Sequence, residues 1–331
     1  MNKFDENFIF ENPSSIAIGN FDGMHLGHQT LLKNYSQNLK KYVLTFNFLF
    51  KEKHSDQTFL TSLEDKEYLA KLYGADELLY LNFDETLKNP PADDFIKEYL
   101  DKPNIKEIIV GKDFRFGKFG QKDAQYLKEK LKDKSIKIID LLDDKDGHKI
   151  STTEIISLLK EKKVEQVSSL LGRNYLIKGY IEQGLRNGHK IGFPTANIKT
   201  IYNYTLPGNG VYATNMIIDG HKYLSMTNIG THPTISELKK PLVETHIFNF
   251  NEEIYNKKIE LEFLCFIRPE KKFDSIDDLK KELQNNKIKP TLKSAVAGDI
   301  TFALGYRTMT DILQFIRSMD KIVEGFANPE N

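Results

Sequence analysis

The sequence predicts an α/β domain built on a parallel sheet, followed by an antiparallel all-β domain. Two observations carry that expectation. From Ser15 to about Leu141, short apolar runs alternate with stretches of helical periodicity, the pattern of parallel strands joined by crossover helices. After about Leu171, strand-like runs follow one another with turn signals such as NG, PGNG and DG between them, which fits a β-barrel or a sandwich. The boundary falls near residue 172, where Gly172 closes a pair of short helices read in "STTEIISLLKEKKVEQVSSLL". The expected division is residues 1–171, 172–288 and a C-terminal extension, 289–331.

In the first half, "SIAIG" reads as a strand, Gly19 to Gly23 as a turn, and a helix begins near Met24 or His25. "YVLTFNFLF" is a second strand, and "SLEDKEYLAKLYG" a helix ending at Gly74. "ELLYLNF", "IKEIIVG" and "IKIIDLL" are further strands, with "PADDFIKEYL" and "DAQYLKEKLKD" as the helices between them. In the second half the strand-like runs are "YLIKGYIEQG", "GVYATNMIID", "KYLSMTNIG", "VETHIFNF" and "KKIELEFLCFI". "IDDLKKELQNN" reads as a closing helix. In the extension, Ile312, Ile316, Met319, Val323 and Phe326 form one apolar helical face. That face packs on its own domain or on a partner.

Composition bounds the function. Basic and acidic side chains number 47 each, so net charge is zero and bulk attraction to nucleic acid is not expected. The single cysteine, Cys265, sits in the apolar run "LEFLCFI" and reads as a buried, inert thiol. No run approaches the ~20 apolar residues of a membrane span, and the acidic N-terminal stretch carries no signal-peptide core. The expected setting is cytoplasmic, with no membrane partner and an open oligomeric state.

Two stretches carry chemistry. In "GNFDGMHLGHQTLL", His25 and His28 follow the first strand at the mouth of a helix. Free backbone N–H groups at a helix start favour anions. With two imidazoles added and glycines allowing close approach, the turn suits a phosphate. In "GLRNGHKIGFPTANI", Thr195 and Asn197 are two apart and face the same way in an extended chain. A hydroxyl and an amide carbonyl are hard oxygen donors suited to Mg²⁺. No Walker-type G-x-x-x-x-G-K-[ST] loop occurs.

The first stretch resembles the opening of the bacterial bifunctional riboflavin kinase/FAD synthetase family, with its H-x-G-H nucleotidyltransferase module. Matches continue through "LTF", "GADELLYLNFD" and "IIVGKDFRFGKFGQKD". "GFPTAN" resembles the family's riboflavin kinase signature, and "GVYAT", "TNIGTHPTI" and "RPEKKFDSIDDL" follow in order. The resemblance spans residues ~15 to ~285. It implies a Rossmann-like adenylyltransferase domain and an antiparallel barrel kinase domain. The reactions implied are phosphorylation of riboflavin to FMN and adenylylation of FMN to FAD, both with Mg²⁺ and ATP.

Carried onto this chain, His25 and His28 stabilise charge on the ATP phosphates, and Asn20, Phe21, Asp22 and Gly23 line the turn. Asp113, Arg115, Ser151, Thr152 and Thr153 belong near the nucleotide. Thr195 and Asn197 hold the metal, and Gly188, Gly192, Phe193 and Pro194 complete the kinase signature. Glu244, in the E-x-H segment with His246, is the implied base, and Tyr212 and Asn228 shape the pocket. Three positions depart from the family pattern. "TFNFLF" replaces F-x-P-H-P with Phe48 and Leu49, Ile156 stands where an arginine is usual, and so does His189. Lys160 or Lys162 could stand in for the arginine at 156. The alternatives are a riboflavin kinase with a weakened or inactive adenylyltransferase module, and a non-catalytic flavin- or nucleotide-binding regulator. A tRNA-linked enzyme sharing H-x-G-H lacks its K-M-S-K-S partner here.

Overall fold

The structure, a computed structural model, describes residues 1–5, 7–48, 57–82, 90–140, 150–182, 195–230, 241–250 and 252–269. Gly188, Gly192, Phe193 and Pro194 lie outside the described residues, as do "IDDLKKELQNN" and the extension. Two compact units interleave along the chain. The first holds Met1–Ser157, Leu170–Gly172 and Asn203–Thr205, and the second Leu158–Ser169, Arg173–Tyr202 and Leu206–Asn331.

In the first unit the strands are β1 (Asn2–Lys3), β2 (Ser14–Ile18), β3 (Lys40–Asn47), β4 (Glu77–Asn82), β5 (Ile105–Gly111) and β8 (Ser135–Ile139). They form one parallel sheet in the order β1-β4-β3-β2-β5-β8. A short hairpin, β6 (Arg115–Phe116) with β7 (Lys122–Asp123), stands apart from it. Central strands buried on both faces read as continuous apolar runs, which is why β2 and β5 were visible in sequence. Their side chains alternate between two cores. Ile16, Ile18, Tyr42, Leu44, Ile108 and Val110 enter one, while Ala17, Val43 and Ile109 enter the other.

Helices α1 (Leu26–Lys33) and α2 (Leu63–Leu72) cover the second core, giving Leu31, Leu32, Leu69 and Ala70. The first is covered by α3 (Ala92–Phe95), which widens into a π-type turn over Ile96–Leu100, and by α4 (Ala124–Lys130). The π-type geometry ends with the Asp101 N–H donating to the Ile96 carbonyl at 2.8 Å. Ser62 opens α2 with a capping box, its hydroxyl accepting from the Asp65 N–H while the Asp65 carboxylate accepts from the Ser62 N–H. The strand β1 was not expected from sequence. It has two residues, both polar, and is held by pairing on β4 and by Phe4 packing edge-on against Phe8 and Phe10.

In the second unit, β9 (Tyr175–Glu182), β10 (Ala196–Thr200), β11 (Gly210–Ile218), β12 (His221–Gly230), β13 (Leu242–Ile247) and β14 (Lys258–Arg268) close into an antiparallel barrel in the order β10-β13-β12-β11-β14-β9. The sequence pattern left barrel and sandwich open; the structure has the barrel. Its interior takes Ile177, Ile181, Met216, Ile229, Val243, Leu261 and Phe263. It also takes a chain of hydroxyls. Thr214 bonds Ser225 at 2.8 Å and Thr227 at 2.8 Å, and Thr227 bonds Thr245 at 2.9 Å. All four are buried, so each hydroxyl needs the partner it has. Helices α5 (Thr152–Lys160) and α6 (Val164–Leu171) lie between the sheet and barrel segments in sequence, and the Gly172 that follows α6 has φ +68°.

Candidate functional sites

The sheet order places a topological switch between β2 and β5. Chain connections run outward from β2 to β3 and β4 on one side, and from β5 to β8 on the other. Ligands of open α/β sheets bind at the carboxyl ends of strands at such a point. The segment leaving β2 there is Gly19–His25, and the segment leaving β5 carries Asp113 and Arg115.

The Gly19–His25 turn is tight. Phe21, Gly23 and Met24 all adopt left-handed φ, at +52°, +78° and +42°, a costly backbone for the two non-glycine residues. Burial holds them there: Phe21 and Met24 are fully buried in the second core. Asp22 fastens the turn from the other side. Its carboxylate accepts from the Leu60 N–H, the Thr61 N–H and the Thr61 hydroxyl. Phe21 and Asp22 therefore shape the turn from within, and their side chains do not line it. Asn20 is exposed.

His25 sits one residue ahead of α1, in extended conformation, as its N-cap. The two histidines are therefore not neighbours on one helical face, as an earlier helix start would make them. Their rings stack instead, with centroids 3.7 Å apart and planes at 21°. Gly27 makes this possible, since a Cβ there would lie 3.1 Å from His25 Cε1 and Nδ1. His28 is held well below the usual imidazole range by burial first, then by His25 and Lys66. A neutral ring results, and its buried Nδ1 has no hydrogen-bond partner among the described residues.

Thr152 reaches this turn, its hydroxyl donating to the Asp22 carbonyl at 3.1 Å. Ser151 accepts from the Glu154 N–H at 3.2 Å and so caps α5, and Thr153 is exposed beside it. Asp113 and Arg115 are both exposed. Arg115 donates to the Phe114 carbonyl at 3.2 Å.

Sequence reasoning missed Lys66. It is 3% exposed on α2, with Nζ 3.1 Å from Asn20 Oδ1, 3.4 Å from Thr45 Oγ1 and 3.5 Å from the Phe46 carbonyl. Burial lowers its pKa to about 8 against the pull of Asp22. The signal was present: Lys66 shares a helical face with the apolar Leu69 and Ala70, where a lysine is out of place.

The second site lies on the barrel. Asn197 of β10 stands directly opposite Glu244 of β13, which stands opposite Asn228 of β12. Directly paired residues share a face, so the three form one row. The alternate positions Thr227 and Thr245 are fully buried inside; the row is therefore on the outer face, and its members are half-buried. Thr195 precedes β10 and is exposed. Tyr212 is not part of this row. It is fully buried on the inner face, its hydroxyl donating to the Gly208 carbonyl and its ring edge-on to Phe263.

Fold and sites together define a two-part protein: a tight histidine-bearing turn at a parallel-sheet switch point, and a polar row on an antiparallel barrel. A family model for FAD synthetase matches residues 9–154, and one for riboflavin kinase matches residues 171–291. A bifunctional riboflavin kinase/FMN adenylyltransferase of Buchnera aphidicola is 38% identical over 287 residues, covering 82% of this chain and 91% of the relative. One from Bacillus subtilis is 32% identical, covering 83% and 90%. A crystal structure described as a macrolide-efflux protein from Streptococcus pneumoniae superposes with a TM-score of 0.80 at 28% identity, covering 89% of this chain and 99% of that one. The chain belongs to the bifunctional riboflavin kinase/FMN adenylyltransferase family. Among the described residues, no helix is long and apolar enough to cross a membrane.

Proposed function

We propose that the chain phosphorylates riboflavin on the barrel and adenylylates the resulting FMN on the parallel-sheet unit. The observation that carries the first half is the Asn197–Glu244–Asn228 row. Glu244 accepts the proton of the ribityl 5′-hydroxyl as that oxygen bonds the γ-phosphorus of ATP and ADP leaves. Asn197 and Asn228 flank the carboxylate and orient it. Among the described residues no cluster of three or more His, Cys, Asp or Glu could hold a metal, and a Mg·ATP site does not require one. Mg²⁺ keeps waters and substrate phosphates in its shell and takes few protein oxygens. The Thr195 hydroxyl and Asn197 amide oxygen fit that demand and would hold it. Bound there, Mg²⁺ would neutralise phosphate charge.

In the second reaction an FMN phosphate oxygen bonds the α-phosphorus of ATP, and pyrophosphate leaves. The substrate supplies its own nucleophile, so the protein's work is positioning and charge stabilisation. The α1 N-terminus, the stacked His25 and His28, and the orphaned His28 Nδ1 support phosphate binding at the turn. Ser151, Thr152 and Thr153 add hydroxyls at the start of α5, and Asp113 and Arg115 belong to the nucleotide's other edge. The kinase-only reading rests on Ile156 and "TFNFLF", where the family's arginine and prolyl turn are replaced. Incubation with riboflavin, Mg²⁺ and ATP labelled at either the γ- or the α-phosphate separates the readings. Label from γ in FMN and from α in FAD is expected. Absence of γ label from FMN sinks the kinase assignment, and absence of α label from FAD sinks the adenylyltransferase.

A further inference from the structure

Lys66 is unused by the reactions as derived above, yet it stands at their edge. Its ammonium lies at the carboxyl ends of β2 and β3, where the parallel sheet presents its ligand. All three of its acceptors are neutral oxygens, and only Asn20 Oδ1 is at ordinary hydrogen-bond distance. Among the described residues no carboxylate hydrogen-bonds this buried ammonium, and Asp22 acts on it only at a distance. Such burial is destabilising, so its retention calls for a reason outside the fold. Its field also reaches His28.

The chemistry of the contact fixes Asn20. An ammonium only donates, so the atom facing Lys66 must be the amide oxygen. The Nδ2 branch then points the other way with two N–H donors, which bond no protein group among the described residues. The main chain is held as well, because the Thr45 hydroxyl donates to the Asn20 carbonyl at 2.8 Å. Thr45 and Lys66 together pin one residue of the turn at both its oxygens.

We propose that Lys66 is a positioning residue for adenylyl transfer: it holds the Asn20 amide with both N–H donors turned toward the phosphate chain of ATP, and places a positive charge behind them. This rests on the adenylyltransferase reading above.

The test uses the full-length chain with Lys66→Met, Asn20→Ala and the double variant. Riboflavin phosphorylation by the same samples serves as the control for folded protein. Each single change is expected to raise the KM for ATP in FMN adenylylation about tenfold, the scale of one hydrogen bond to a charged group. The double variant is expected to be no worse than either single one, because the two residues act as one unit. A wild-type KM in Lys66→Met, or losses that multiply in the double variant, overturns the proposal. Lys66→Arg, which keeps a donor for Asn20 Oδ1, decides the matter if the methionine variant fails to fold. Its KM is expected within about threefold of wild type, and a tenfold loss overturns the assignment. A wild-type protein that makes no FAD at all removes the underlying reading, whereas unchanged variants of an active enzyme remove only the role of Lys66.

Discussion

Asn197 and Glu244 face each other directly across the β10–β13 pair. Asn228 pairs Glu244 from the other side, so the carboxylate side chain shares one face of the barrel with two amides, and among the described residues no ion pair is seen for it. Glu244→Gln keeps the shape and removes the proposed base. Riboflavin phosphorylation is expected to fall about a hundredfold or more, with the melting temperature of the barrel unchanged. Steady-state FMN formation and a thermal melt check both halves, and near-normal turnover would reject the assignment.

Gly27 separates function from stability. A methyl group there meets the His25 ring at 3.1 Å, while alanine is the better helix former by about 1 kcal/mol. Gly27→Ala is expected to displace the stacked imidazoles and cut FAD formation about tenfold. The melting temperature should hold. Loss of stability without loss of FAD formation would show that the stack has no part in the reaction.

Thr152 and Ile156 are four residues apart on α5, hence on one face, and the Thr152 hydroxyl already reaches the Asp22 carbonyl. An arginine at 156 starts from the same face. Ile156→Arg is expected to raise kcat/KM for FMN adenylylation roughly tenfold or more, the worth of a charge-assisted phosphate contact. An unchanged rate would mean that this position does not face the phosphates.

The pH dependence of stability follows from Lys66. Its pKa is about 8 in the folded chain and 10.5 when exposed. Below pH 8 both states carry the proton, and the folded state bears the full cost of burying it. Between pH 8 and 10.5 the unfolded chain binds more protons than the folded one, so this contribution to stability rises with pH. Lys66→Met should therefore melt above wild type at pH 7, and the gap should narrow as pH rises through that window. Melts across the range, compared at equal ionic strength, test this; a gap that stays constant would remove charge burial as its cause.

Much of the fold is legible in the sequence because its physical causes are local. Strands β2 and β5 carry the apolar runs IAI and IIV, Ser62 and Asp65 announce the start of α2, and PGNG and DG mark turns of the barrel. Other features depend on what a segment meets. Two polar residues, Asn2 and Lys3, become a strand only because β4 offers an edge. Alone, the tetrapeptide PTAN would read as a turn; within GFPTANI it reads as extended chain, and Asn197 does enter β10, with Glu182 and Glu244 flanking it in register. The site divides in the same way. The motifs draw attention to Asn20, His25, His28, Asn197 and Glu244 as candidates, whereas Lys66 belongs to none and shows in the sequence only as a lysine on the apolar face of α2. Asp22 and Phe21 sit within the motif but are turned inward, a distinction that residue type alone does not carry.

The hydroxyl chain inside the barrel has a consequence for assembly. Along a strand, inward and outward positions alternate, so sliding β13 past β12 by one residue would exchange them. Glu244 would then be driven among Thr227 and Thr214, and Thr245 would be expelled, leaving Thr227 with only its bond to Thr214. An all-aliphatic lining would tolerate such an error more readily. The threonines and serine thus act as a proofreading device on the inner wall of the barrel: the chain closes correctly only in the alignment that sets Glu244 between its two asparagines.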